Sequence, residues 1–352
     1  MKKTLLFLSV ILVCNCLFAQ ETANRHAVPG HRYLKEYWGQ SELYLEHQAY
    51  YMLDLADKAL NENPPATSIN REREMALLMI DAVTHEPAPI ENPAVLDFLS
   101  RRISHVVEDL DKPLKGRKSL RIYKLYNCGM IFRTRDLTVA VDINGRAGKL
   151  IPDELMEKVT DKVDILFLTH NHGDHTDAHV HEMCNRKGIP IYAPDEIFKD
   201  DPKVNHIWKE GPYSFDIDLP EGRLGVNVLP GHQDALQNDI WVVTMPNGKV
   251  VAAMGDQWAG ERKDLDWLKD IHTKLPRIDV LSMDCWIHDF DEHVADFNPR
   301  LIISQHENEI GAHGIDHRES FWMTMYKNRN FNASTATIPW VLMAWGEWYD
   351  YK

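Results

Sequence analysis

The sequence predicts a layered α/β fold, on three observations. Apolar residues recur at helical spacing up to about residue 110, the period then shifts toward 2, and beyond it short strand-like runs alternate with helical stretches. The composition can supply the core: of 352 residues, 44% are hydrophobic and 26% charged, with 18 Gly and 18 Pro. Collagen-like, disulfide-scaffold and disordered chains are excluded by these values.

Taken in chain order, Lys2 and Lys3 precede an apolar run over residues 5–13, and Leu17-Phe18-Ala19 follows. The run is far shorter than the roughly 20 residues a membrane span needs, so residues 1–19 read as a cleavable secretory signal with a periplasmic destination. Cys14 and Cys16 do not follow small residues, which makes lipoprotein anchoring the weaker alternative. No later stretch is apolar enough to cross a bilayer, so the mature chain has no transmembrane segment. Without Lys2 and Lys3 it carries 37 basic against 53 acidic side chains, a formal charge of −16. Nucleic-acid partners are disfavoured, because they are held by clustered Lys and Arg. Oligomeric state is not read from the sequence.

Residues 20–115 form a helical extension in this reading. Leu45, Ala49, Met52, Leu53, Ala56 and Leu60 make one stripe, Met75, Leu78, Met79 and Ala82 a second, and Leu96, Leu99, Ile103, Val107 and Leu110 a third. Pro64-Pro65 and the prolines of 87–93 separate them. After the basic linker 112–118 a second domain, residues 116–352, begins with strands expected at 120–126, 130–133 and 137–141. Further strands are expected at 163–168, 189–192, 224–229, 240–245, 250–254, 280–283 and 301–304, with helices at about 176–187, 264–273 and 316–327. Cys128, Cys184 and Cys285, odd in number and widely spaced, read as small buried core residues rather than a disulfide framework or ligands.

The chemistry is concentrated after the strand at 163–168, in Thr169-His170-Asn171-His172-Gly173-Asp174-His175-Thr176-Asp177. Three imidazoles and a carboxylate within six residues, at a strand end where α/β sheets present their sites, suit two adjacent metal ions. Three later strand ends bring His232, Asp256 and His306. Asp142 at a strand end, and Glu307 and Glu309 beside His306, are candidates to orient bound imidazoles. His313 and His317, four residues apart, are candidates for support of the site or substrate contact. The loop bearing Asp284, Trp286, His288 and His293 is expected to line the pocket.

The block His170-x-His172-x-Asp174-His175, with His232, Asp256 and His306 in order behind it, resembles the signature of the metallo-β-lactamase fold hydrolases over roughly residues 119–346. The resemblance implies a four-layer αββα sandwich with a dinuclear site at one edge. It implies one metal on His170, His172 and His232, the other on Asp174, His175 and His306, and Asp256 bridging. A metal-bridging hydroxide would attack an ester, lactone or phosphodiester, with Asp174 and Asp256 as catalytic carboxylates. Asp256 points away from true β-lactamases. The surrounding blocks look most like the branch of ascorbate-6-phosphate lactonases and the phospholipase D acting on N-acyl phosphatidylethanolamine, although Gly173, Thr176 and Gln257 depart from that phospholipase's pattern. The expected cofactors are two divalent ions, zinc ahead of manganese, and the partner is a small-molecule or lipid-derived substrate. The alternatives are phospholipase D-like cleavage of a lipid phosphodiester and a non-catalytic periplasmic metal- or ligand-binding protein.

Overall fold

A computed structural model describes residues 39–258, 264, 268–285, 287, 289–310, 318–334 and 338–352. The signal segment, Trp286, His288, His313 and His317 lie outside the described residues, as do residues 265–267 of the helix expected at 264–273, of which Ile271–Thr273 forms a short 3-10 turn.

Among the described residues three helices come first: α1 (Ser41–Glu62), α2 (Arg71–Thr84) and α3 (Pro93–Leu110). The second and third start on asparagine caps, Asn70 accepting from Arg73 N–H and Asn92 from Ala94 N–H, with Pro93 at the first turn of α3 where no N–H is needed. Fourteen strands then build two sheets, interrupted by α4 (Asp153–Thr160), α5 (Ala178–Lys187), α6 (Phe290–Phe297) and α7 (Phe321–Ser334).

One sheet runs in the order β14 (Glu347–Tyr351), β1 (Leu120–Lys124), β2 (Met130–Arg133), β3 (Thr138–Val141), β4 (Ile165–Phe167), β5 (Ile191–Ala193), β6 (Val204–His206). The other is β13 (Trp340–Val341), β12 (Ile302–Gln305), β11 (Val280–Asp284), β10 (Val250–Ala253), β9 (Leu236–Thr244), β8 (Gly222–Gln233), β7 (Tyr213–Leu219). Each is antiparallel at one end and parallel at the other.

Period-2 alternation divides each strand between two cores. Ile122, Phe132, Val139 and Phe167 of the first sheet meet Val226, Trp241, Val251 and Ile303 of the second across the inter-sheet layer. Their neighbours Tyr123, Ile131, Ala140 and Leu166 face outward against α1 to α5. On the far side, Ile240, Val242, Leu281 and Ile302 pack against Val294 and Phe297 of α6. The layers are therefore helix, sheet, sheet, helix.

The helical extension shares its core with the first sheet and is tied to it by buried ions. Arg73 donates to both carboxylate oxygens of Glu347 and to the Leu342 carbonyl, and Arg102 joins Asp57 to the Trp345 carbonyl. Asp81 accepts from Phe321 N–H and Trp322 N–H at the start of α7 and from Asn308 Nδ2.

Several expectations are corrected. In α2 the buried face is Ala76, Leu77, Ile80 and Val83, while Met75 and Leu78 are exposed, because the inward pull of Arg73 and Asp81 turns the helix. Strand β8 runs on through Pro230-Gly231-His232-Gln233, so His232 lies within a strand rather than past its end. The hairpin causes this: Gln233 pairs with Leu236 across a two-residue turn in which Asp234 takes φ 50°. α4, α6, β6, β7, β13 and β14 were not expected from the sequence.

Candidate metal centre

Asp142, His170, Asp256 and His306 each stand within three residues of a strand end, those of β3, β4, β10 and β12. The backbone turns sharply at two of them, Asp142 at φ 48° and His306 at φ 72°. Outside glycine such geometry persists only where the surroundings impose it.

Asp142 imposes order on the ligand loop. It is buried, its Oδ1 accepts from Thr169 N–H at 2.8 Å, and its Oδ2 accepts from Thr169 Oγ1–H at 2.6 Å and from His175 Nδ1 at 2.8 Å. Thr169 has only one hydroxyl proton, already given to Asp142, so its lone pair accepts from His170 Nδ1–H at 3.1 Å. Both imidazoles thus carry their proton on Nδ1 and present Nε2 as a donor atom.

Those atoms converge on one oxygen. Asp256 Oδ2 lies 3.1 Å from His306 Nε2, 3.2 Å from His175 Nε2 and 3.7 Å from His170 Nε2. Asp174 Oδ2 stands 3.3 Å from both His175 Nε2 and His306 Nε2, and Asn127 Nδ2 holds it at 2.7 Å. His170, His172 and Asp256 form one group with donor atoms within 4.8 Å of one another; Asp174, His306 and Glu309 form another. His170 Nε2 is buried without a hydrogen-bond partner. A buried imidazole nitrogen left this way needs an electrophile, and a divalent cation is one that suits the donors around it.

The electrostatics divide the imidazoles into one that is kept neutral and two on which the carboxylates favour positive charge. Burial, reinforced by His175, holds His170 well below the ordinary histidine range, which keeps it neutral. Burial opposes charge on His175 and His306 too, but the surrounding carboxylates, Asp256 first, outweigh it and hold both well above that range. The pocket is thus built to compensate positive charge.

His232 is held by Asp264, whose carboxylate lies 3.0 Å from Nδ1, and Gln257 Nε2 donates to the same carboxylate at 3.2 Å. Among the described residues, His232 is not in a group with the other donors. Glu307 does not approach His306. The left-handed turn at His306 sends it the other way, into a fully buried ion pair with Lys124. Glu309 does approach, as a member of the group with Asp174 and His306. Of the pocket-lining candidates, His293 is buried on α6 and bonds the Asp289 carbonyl.

Four residues of the site escaped sequence reading. Cys128, expected to be core, is buried but belongs with His175, Asp256 and His306 in a group of donors, its Sγ 3.9 Å from Asp256 Oδ1; burial pushes its thiol up to about 12. Asn127, Gln233, whose Nε2 is 3.3 Å from Asp256 Oδ2, and Asp264 complete the set. None falls in a recognisable spacing, although Asn127-Cys128-Gly129 interrupts two apolar strands at the rim where the ligands gather.

No protein-family model and no curated protein matches the chain. Among solved structures, the chain is similar to a metallo hydrolase from the hyperthermophilic archaeon Ignicoccus hospitalis, with 16% identity, TM-score 0.49, and 66% of this chain and 99% of that one covered. It is similar to an isothiocyanate hydrolase from Delia radicum gut bacteria, with 13% identity, TM-score 0.46, and 65% and 98% covered. A diiron β-hydroxylase from Streptomyces venezuelae is similar at 12% identity and TM-score 0.47, with 67% and 54% covered. At these levels of likeness the chemistry of the site rests on this chain's own donors.

Proposed function

We propose that this protein is an exported, dinuclear metal-dependent hydrolase of ester, lactone or phosphodiester bonds. The observation that carries the reading is the placement of a single carboxylate oxygen, Asp256 Oδ2, against the Nε2 atoms of His170, His175 and His306. In this reading His170 and His172 would hold one ion, with His232, which stands outside their donor group and is assigned by the resemblance, as its third ligand; Asp174, His175 and His306 would hold the other, and Asp256 would be shared. Two divalent ions bound there would polarise the scissile group and lower the pKa of water to about 7.

The chain's own residues do the rest. Asp142 and Thr169 fix the imidazole tautomers, Asn127 aims Asp174, and Asp264 orients His232. Zinc is the ion favoured by imidazole donors with a nearby thiol. The family resemblance supports the lactonase and phospholipase D branch, and the basic, apolar start of the chain supports export to a periplasm. No described helix is long and apolar enough to cross a membrane.

The test is elemental analysis with turnover of generic phosphodiester, lactone and thioester substrates. Two divalent ions per chain, loss of hydrolysis on chelation and its return with zinc are expected. Full activity in a metal-free preparation of the His170→Ala, His172→Ala double variant would sink the reading.

A further inference from the structure

Between β3 and α4 the backbone passes through two successive non-glycine residues in the left-handed region, Arg146 at φ 55° and Ala147 at φ 50°, before Gly148 at φ 75°. Such backbone costs energy and survives only where neighbours over-determine it. Asp177 Oδ2 accepts from Gly145 N–H and Ala147 N–H, both at 2.9 Å. Asn144 Oδ1 accepts from Arg146 N–H at 2.7 Å, and its Nδ2 donates to the carbonyls of Gly173 at 3.1 Å and Thr176 at 3.0 Å. The turn is therefore stitched to the same loop that carries His172, Asp174 and His175.

That stitching lays a guanidinium on the ligand loop. A Cβ on Gly173 would stand 3.8 Å from Arg146 Nη1, ordinary contact distance, so the guanidinium lies directly over the loop between His172 and Asp174. Nη1 lies 3.9 Å from Glu309 Oε1, beyond hydrogen-bond range, and Glu309 is grouped with the donor atoms of Asp174 and His306. The Arg146 side chain is 15% exposed. Its side chain makes no hydrogen bond among the described residues, so a strained, pinned segment holds out a fork of N–H donors beside a cluster of carboxylates and imidazoles. A fork of that shape matches the paired oxygens of a phosphate or carboxylate.

We infer that Arg146 binds an oxyanion of the substrate, a phosphate or carboxylate group held beside the metal centre, so that the hydrolase selects anionic substrates. This rests on the metallohydrolase reading above. Arg146 would touch the substrate directly, and Asp177 and Asn144 would act through it as positioning residues.

The test uses the cobalt-loaded full chain and three probes, inorganic phosphate, acetate and azide, the last a small metal-binding anion with no paired oxygens for the guanidinium fork. In Arg146→Ala the affinity for phosphate, acetate or both falls about tenfold or more, as loss of a charge-assisted pair requires, while azide binding and cobalt content stay at the wild-type level. Arg146→Lys restores part of the loss. A fall for phosphate alone identifies a phosphate-bearing substrate, and for acetate alone a carboxylate-bearing one. Unchanged phosphate and acetate binding at full cobalt content would overturn the role of Arg146 and leave the metal centre standing. An equal fall for azide would reduce the arginine to a general field effect and also overturn it. Failure of the wild type to take up cobalt would overturn both readings.

Discussion

Replacing Asp142 by asparagine, which keeps size and shape, isolates what its second oxygen does. Both carboxylate oxygens are acceptors, Oδ1 from Thr169 N–H at 2.8 Å and Oδ2 from Thr169 Oγ1–H at 2.6 Å and His175 Nδ1–H at 2.8 Å. An amide offers one acceptor and one donor, so whichever way it turns, one of these contacts becomes donor against donor. If the NH2 group faces His175, the imidazole must move its proton to Nε2, the atom that stands 3.3 Å from Asp174 and 3.2 Å from Asp256. A protonated Nε2 cannot ligate. If the amide turns over, Thr169 N–H meets a donor and the start of the ligand loop loosens. Loss of such an outer partner costs ~10- to 100-fold in metal affinity, or about 1.4–2.7 kcal/mol. Competition for zinc against a chromophoric chelator measures it directly, with a melting curve of the metal-free variant to separate folding from affinity. Wild-type zinc affinity in Asp142→Asn would refute the tautomer argument.

Two predictions concern the frame around the site. Arg73 and Glu347 are both almost fully buried and 274 residues apart; Arg73→Ala leaves the buried carboxylate only Arg102, 3.5 Å away, and the Ala344 N–H, and is expected to cost about 3 kcal/mol in urea unfolding. Arg73→Met combined with Glu347→Gln is expected to cost less, and a single-variant loss below about 1 kcal/mol would show that the pair does not anchor the extension. Asp239 is fully buried, neither of its carboxylate oxygens has a hydrogen-bond partner, and burial, with Asp195 nearby, holds its pKa well above the usual carboxylate range. Because the folded value is the higher one, its contribution to stability is complete below the unfolded pKa of about 3.9 and is lost as pH rises through the folded value. Asp239→Asn therefore raises the melting temperature at neutral pH and not at about pH 4; an equal shift at both would contradict the sign.

The ligand loop was legible because its chemistry is local. Three imidazoles and a carboxylate in six residues after an apolar strand declare a site whatever surrounds them, and the paired periods of 3.6 and 2 declare helices and a layered sheet. Two short elements were not legible: β13 has two residues, and β6, Val-Asn-His, buries only its valine, whereas the equally short β4, Ile-Leu-Phe, is apolar throughout. β14, with the sequence Glu-Trp-Tyr-Asp-Tyr, becomes a strand through its antiparallel pairing with β1, more than 200 residues earlier. Helix α2 displays two apolar faces of similar merit, and its choice between them is made by the ion pair of Arg73 and the caps that Asp81 supplies to α7.

The site divides along the same line. Residue types and their order along the chain singled out His170, His172, Asp174 and His175 as one donor-rich loop and His232, Asp256 and His306 as further candidate donors awaiting a place. Only the tertiary structure decided that Asp256 Oδ2 meets three imidazoles, that Cys128 and Asn127 join them, that Glu307 turns away to Lys124, and that Arg146 lies over Gly173. The physical reason is distance along the chain. Donor chemistry and periodicity are properties of neighbouring residues, whereas these meetings depend on sheet register and on left-handed turns at Asn127, Asp142, Arg146 and His306, which are held in place by partners tens to hundreds of residues away.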